Sequence, residues 1–423
     1  MIDLVIHNAR IADGEPLIDL AIDDGLIVDI GPFRGEAKER IEAHGRAVVP
    51  GFLEPHIHLD KALVEGRRPN LSGTLADAIR ITGELKERFH REDVLERAGR
   101  TLEMAVANGT VVLRAQPDVD PIQGLLGVET MLELRADYAD VIDLQIVAFP
   151  QEGIFKVPGV RDLLVEAMRM GADVSGGCAY NERSWEDSKR HIDTVFDIAE
   201  EFGTDVDFHA DLADEASDPR FAAASYIAQT AMERGFVGRV SLGHVTSLGA
   251  LTAEEARPVI EQLAAAEVSI VTLPATDLYL GGRNDAKNPR RGLTPVKQLR
   301  AAGVNVAYSS NNVRNAFTPF GKADPLQIGS LLAHAAHLGS PDDQAYVLRM
   351  ATTNAARAMG IADRYGLAIG KQADLVVLDT ENVGDALLDI PARSWVVKHG
   401  RITVVTEHSY ELRRHRTSAI ALR

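Results

Sequence analysis

Between about residue 50 and about residue 360, short apolar runs alternate with helical stretches, and this rhythm restricts the fold more than any other feature. The first run enters at Val48-Val49 and passes through Pro50-Gly51 into Phe52-Leu53. Seven more follow, at 110–114, 143–149, 172–176, 206–209, 240–244, 268–273 and 304–309. The connecting pieces read as helices. Between Asp93 and Gly109, the residues Val94, Leu95, Ala98, Leu102, Ala105 and Val106 recur at helical spacing, and Gly109 stands where a C-terminal cap belongs. Eight strand–helix units predict a (β/α)8 TIM barrel, with its site at the C-terminal ends of the strands. An open doubly wound sheet is the structural alternative, but no Gly-rich phosphate loop follows the first strand.

The flanks follow a different pattern. Residues 1–50 read as short strands joined by tight turns, at Asp13-Gly14 and Asp23-Asp24-Gly25. Strand patterning returns after about residue 360, in the stretch 366–379 and in a hairpin turning at Gly400. We expect residues 1–50 and 361–423 to form one small β-sandwich domain beside a barrel spanning 51–360. The basic run Arg413-Arg414-His415-Arg416 reads as solvated surface.

A formal net charge of -17 argues against nucleic acid or an anionic membrane as main partner, since both need a basic face. The single cysteine, Cys178, allows no disulfide within the chain and reads as a small core residue. Residues 1–7 lack a basic region followed by a long apolar one, and no apolar run is long enough to span a bilayer. A cytoplasmic protein acting on a small molecule is expected, with homo-oligomerisation left open.

Polar residues fall where a barrel would put its site. His56 and His58 end the first strand, and side chains two apart on a strand share a face. Two neutral imidazoles so placed can bind one metal ion, although two solvent-facing histidines would read the same way. Gln116 follows the second strand, Gln151 and Glu152 the third. His209 ends the fifth strand, His244 the sixth, and Asn311 and Asn312 the eighth. Four histidines at one end of a barrel point to a metal site.

With these residues the chain resembles the amidohydrolase superfamily over essentially its whole length. The carriers are Pro50-Gly51 leading into His56-Ile57-His58, the later His209 and His244, and the closing stretch 370–377. Within the superfamily it is most similar to cytosine deaminase and its neighbour isopropylammelide isopropylamidohydrolase. The similar motifs are Glu54-Pro55-His56-Ile57-His58-Leu59-Asp60, the stretch 143–154, and Arg290-Arg291-Gly292 with Val296-Lys297. The resemblance implies one divalent ion, zinc or iron, held by His56, His58, His209 and the eighth-strand position occupied by Asn311. It implies His244 as the residue touching the attacking water and Gln151 as the reader of a cyclic amide edge.

The chain departs from the pattern where acids are expected. Asn311 replaces an aspartate, and Leu212 replaces a proton-shuttling glutamate. Asp211, Asp214 and Glu215 are the nearby substitutes, with Glu215 the catalytic candidate. Gln116 stands where a histidine is usual and joins Lys61 and Asn312 as a candidate substrate contact, while Lys61 also reads as a salt bridge on the barrel rim. The strand-4 end, Cys178-Ala179-Tyr180-Asn181, offers no lysine for a two-metal bridge. The paired glycines in 278–285 suggest a lid, and Phe317 a pocket wall. The expected function is metal-dependent hydrolysis of a C–N bond in a small cyclic amide or amidine, such as a pyrimidine- or triazine-type ring. The alternative is a binding protein that kept the barrel and lost the chemistry, which Asn311 and Leu212 would favour.

Overall fold

A computed structural model describes residues 1–409, 411 and 413. Arg414, His415 and Arg416 of the basic run lie outside the described residues. The chain opens with β1 (Ile2–Ala9), β2 (Ile18–Asp23), β3 (Leu26–Ile30), β4 (Ala37–Glu42) and β5 (Val48–Pro50). The barrel strands are β6 (Phe52–Ile57), β7 (Thr110–Ala115), β8 (Asp143–Ala148), β9 (Val174–Gly177), β10 (Asp205–Ala210), β11 (Val240–His244), β12 (Ser269–Thr272) and β13 (Asn305–Tyr308). The chain returns through β14 (Leu375–Leu378), β15 (Arg393–Lys398) and β16 (Arg401–Val405).

β6 to β13 form one eight-stranded sheet in sequence order, and every pairing along it is parallel. The two ends meet beyond β6 and β13. The His58 N–H donates to the Asn311 carbonyl at 2.8 Å, and the Asn311 N–H donates to the His56 carbonyl at 3.1 Å. The sheet is thereby closed into the expected barrel at the level of the histidines. Helices pack around it. The one expected between Asp93 and Gly109 runs over Arg91–Ala107, with Val94, Ala98, Leu102 and Ala105 buried and Glu92 and Asp93 in its first turn, where the helix dipole favours acids.

The Pro50-Gly51 step has a packing cause. A Cβ on Gly51 would lie 2.4 Å from a Val111 methyl carbon, so only glycine lets the chain pass from β5 into the barrel wall at β6.

Both flanks meet in two four-stranded sheets, ordered β3-β2-β1-β4 and β16-β15-β14-β5. Leu4, Ile6, Leu20 and Ile22 of the first pack with Leu375, Val377 and Val397 of the second. The β2–β3 and β15–β16 pairs are antiparallel, as the turns at Asp24-Gly25 and Gly400 predict. β4 was not legible in the sequence. Its charged run exposes Lys38, Glu39 and Arg40, and it is recruited by parallel pairing to β1. We propose that the two units divide near residues 50 and 360.

Buried cations join them, Arg393 of β15 to Asp324 and Lys398 to Asp143. Lys398 is fully buried, and its Nζ lies 2.8 Å from Asp374 and 3.1 Å from Asp143 on β8. Burial pushes the Asp143 carboxyl up, but the His399 hydrogen bond and the Lys398 charge outweigh it and hold the group at about 2. Its folded value lies below its unfolded one, so this contribution is present above about pH 4 and lost as pH falls through about 2. Lys398→Met strands Asp374 in the interior, and the chemical denaturation midpoint is expected to fall by the equivalent of about 3–5 kcal/mol. In Asp143→Asn, acidification from pH 5 to pH 3 is expected to cost less stability than in wild type.

Candidate metal centre and active site

His56 and His58 share an inward face at the end of β6, and His209 faces them from β10. Their metal-binding nitrogens all lie within 4.8 Å of one another. His209 Nε2 is 3.0 Å from Nε2 of His56 and 3.0 Å from Nε2 of His58. His58 Nδ1 lies 2.9 Å from the Gln116 carbonyl, which can only accept, so the His58 proton sits on Nδ1 and Nε2 carries a lone pair. Burial holds all three imidazoles well below the usual histidine pKa, reinforced by the charges of neighbouring histidines and Lys61. They are neutral donors at neutral pH.

The residues fit a divalent ion. Three imidazole nitrogens converge, and Asn311 Oδ1 is buried with no hydrogen-bond partner among the described residues. Asn311, His58 and His209 line the same small cavity. An unpaired buried amide oxygen is costly unless something electropositive meets it. The fourth donor is uncharged, so three imidazoles and an amide leave the charge of a divalent ion uncompensated.

Behind the histidines lies a polar layer that sequence reasoning missed. Asp207 stands two residues before His209 and shares its inward face. It accepts from Arg114 at 3.0 Å, Ser241 at 2.6 Å and the Gln116 side chain at 3.0 Å, and sits 3.8 Å from His56 Nδ1. The signal was the strand period applied one step back from His209. Gln116, expected to contact substrate, belongs to this layer and is not part of the cavity wall. His209 is held differently: its ring stacks on Phe149 with centroids 4.0 Å apart, and its Nδ1 has no partner among the described residues.

His244 lies beside the cluster, its ring centroid 5.5 Å from that of His209. Its Nδ1 is 2.6 Å from Oδ1 of the buried Asp277, a residue the sequence reading did not single out. A carboxylate there accepts a hydrogen bond from Nδ1–H, which leaves the lone pair on Nε2. Burial raises the Asp277 pKa, and the His244 charge and hydrogen bond oppose that.

Gln151, Asn312, Phe317 and Leu212 line the cavity with His244. The Lys61 ammonium donates to Gln151 Oε1 at 3.3 Å and to Asp118 at 2.7 Å. Lys61 is 1% exposed, so it is a buried ion pair and not one on the rim. With Oε1 taken and one N–H donated to Cys178 Sγ at 3.6 Å, Gln151 keeps one N–H for the cavity it lines. Asn312 is held by Thr276 at 3.2 Å and Asn315 at 2.6 Å.

The acidic substitutes for Leu212 are all engaged elsewhere. Asp211 caps a helix, accepting from the N–H groups of Ala223 at 2.7 Å and Ala224 at 3.1 Å. Asp214 accepts from the Gly282 N–H at 2.9 Å. Glu215, expected as a catalytic residue, is corrected: its side chain is 64% exposed and paired with Arg290. Cys178 is buried and its thiol is pushed up to about 12, which leaves it inert as a nucleophile.

Replacing both His56 and His58 with alanine is expected to abolish metal binding while leaving the far-ultraviolet circular dichroism unchanged. Full metal occupancy of that variant, measured by atomic emission, would contradict the assignment. Asn311→Asp adds a negative donor and is expected to raise zinc affinity by at least 10-fold in chelator competition.

Comparison with known proteins places the chain. The model of the amidohydrolase family matches residues 80–405. N-isopropylammelide isopropyl amidohydrolase of Pseudomonas sp. (strain ADP) is 29% identical over 420 residues, spanning 96% of this chain and 98% of that protein. Pterin deaminase of Rhizobium rhizogenes is 31% identical over 396 residues, spanning 92% and 89%. The crystal structure of 5-methylcytosine deaminase from Klebsiella pneumoniae with 5-fluorocytosine superposes with a TM-score of 0.91 at 33% identity, covering 97% of this chain and 99% of that one. By family match and full-length likeness, the chain is a member of the amidohydrolase family, metal-dependent hydrolases acting on C–N bonds.

Proposed function

We propose that this chain hydrolyses the bond between a ring carbon and an exocyclic nitrogen in a small cyclic amide or amidine, with deamination of a pyrimidine- or triazine-type ring as the leading case. The observation that carries the reading is the His244–Asp277 pair at 2.6 Å, standing beside three convergent imidazoles, with His244, His58, His209 and Gln151 lining one cavity. The names of the full-length relatives, an isopropyl amidohydrolase and a pterin deaminase, point the same way. The alternative of a binding protein without chemistry finds no support among them.

His56, His58, His209 and Asn311 would hold one divalent ion, zinc or iron. Such an ion supplies Lewis-acid activation of water. His244 Nε2 takes a proton from the attacking water as oxygen adds to the ring carbon. Asp277 steadies the resulting imidazolium through Nδ1. His244 then returns the proton to the departing amine and the C–N bond breaks; the added hydroxyl gives its own proton to the ring nitrogen, so a ring carbonyl and ammonia (or an alkylamine) remain. The Gln151 NH2 donates to an acceptor on the ring edge, and Lys61 fixes which end of that amide faces the substrate. His244 therefore carries the work of the missing acid at position 212.

A screen for ammonia or alkylamine release across pyrimidines, triazines and pterins tests the proposal with zinc- and iron-loaded protein. Turnover of at least one ring is expected, and no release from any of them would reject it. On the ring that turns over, His244→Ala is expected to lower kcat by roughly 10²-fold or more. Gln151→Ala is expected to raise KM more than it lowers kcat.

A further inference from the structure

A second, larger cavity opens outward from the site. It encloses about 580 Å³, the size of a pocket for a drug-sized molecule (roughly 300–1,000 Å³) rather than for one small ring. Tyr180 and Leu212 line both it and the inner cavity, so the two adjoin at these side chains, where a throat between them would lie. The throat is apolar because leucine stands at position 212; an acid there would put a charge in the passage. Beyond it, Leu75, Ile79, Phe221 and Leu280 form an apolar wall, and Phe221 stacks on Tyr180 with ring centroids 5.3 Å apart.

The charges in that wall are unequal in their pairing. Arg80 is engaged by Asp77 and Glu84, and Arg220 by Asp218. Asp277 is taken by His244, and both oxygens of Asp214 accept from the Gly282 N–H. Lys156 and Arg283 remain. Lys156 donates to the Asn181 side-chain oxygen at 2.9 Å, and Arg283 to the Tyr279 carbonyl, at 2.9 Å through Nε. Neither side chain is ion-paired with a carboxylate among the described residues. Both line the same cleft, beside its apolar wall.

We propose that this cleft holds a substituent of the substrate, an aryl or alkyl arm ending in a carboxylate or phosphate, with Lys156 and Arg283 meeting the anionic end. The ring enters past Leu212 and the arm lies on Tyr180, Phe221 and Leu280. This rests on the C–N hydrolysis reading for the ring but not for the arm, which can be tested alone.

The probes are 4-(benzylamino)benzoate and its neutral amide, neither of which carries a hydrolysable ring amine. Binding is measured by calorimetry on the full-length, zinc-loaded protein. The carboxylate is expected to bind at least 10-fold tighter than the amide, and Lys156→Gln with Arg283→Gln is expected to erase that preference. Lys156→Arg with Arg283→Lys, which keeps the charges, is expected to restore it. Equal affinity for the two probes, or a preference that survives the glutamine pair, overturns the proposal. A second comparison uses pterin against pteroate, which adds an arylcarboxylate arm to the same ring. A lower KM for pteroate that rises to the pterin value in the glutamine pair supports the arm site. Loss of all amine release with the probe preference intact would sink the hydrolase reading and leave the arm site standing.

Discussion

Glu54 is 1% exposed on β6, and its two oxygens accept hydrogen bonds from the end of β13. Ser310 donates through its N–H at 2.8 Å and its hydroxyl at 2.5 Å, and the Ser309 hydroxyl bonds the same carboxylate. Burial raises the Glu54 pKa, and the serine hydrogen bonds work against that rise. First and last barrel strands are thus joined directly beneath the histidines. Asn311 follows Ser310, so the closure that completes the sheet also sets the amide oxygen against His58 and His209. Removing the carboxylate would free the buried Ser310 hydroxyl and N–H at the same point, each a group that must find a partner, while the Ser309 hydroxyl keeps the His56 carbonyl at 2.7 Å.

Backbone strain gathers at the same end of the barrel. Asp211, His244, Val245 and Asn311 all have positive φ, between 54° and 73°. For a β-branched residue such as Val245 this conformation is a true outlier. Each of these residues follows or ends a barrel strand and turns its side chain at a defined point: Asp211 to a helix cap, His244 to Asp277, Asn311 into the cavity. Packing around the strands holds them there, at a cost of about 1–3 kcal/mol each. Such cost is tolerated where orientation of a side chain is the function.

The barrel was legible because its signal is periodic and repeated. The strand ends carried His56, His58, His209 and His244 in plain view, since the two-residue period fixes which side chains share the interior. Residues on helices or in the layer below were not legible. Asp277 lies in helix Pro274–Leu280, and nothing local says that it will meet His244, thirty-three positions earlier. Asp207 and Arg114 are charged residues in apolar strands, and only the closed barrel reveals that they satisfy each other. Glu215 misled for the opposite reason: nearness along the chain to His209 suggested nearness in space, and the loop carries it out to Arg290. β4 was hidden because an exposed edge strand needs few apolar residues once β1 supplies a partner.

The interleaving of the two flanks has a consequence for how the chain matures as it is made. β5 pairs with β14, so Val49 waits for Val376 before its hydrogen bonds are complete. The whole barrel lies between them in sequence. On a ribosome the leading sheet emerges first, with Leu4, Ile6, Leu20 and Ile22 uncovered, while their partners Leu375, Val377 and Val397 are still to be translated. Closing that long loop is a slow, high-contact-order event, and it comes last. Newly made chains therefore carry an apolar sheet face through most of synthesis, and this β-unit, rather than the barrel, is where nascent-chain chaperones have surface to hold.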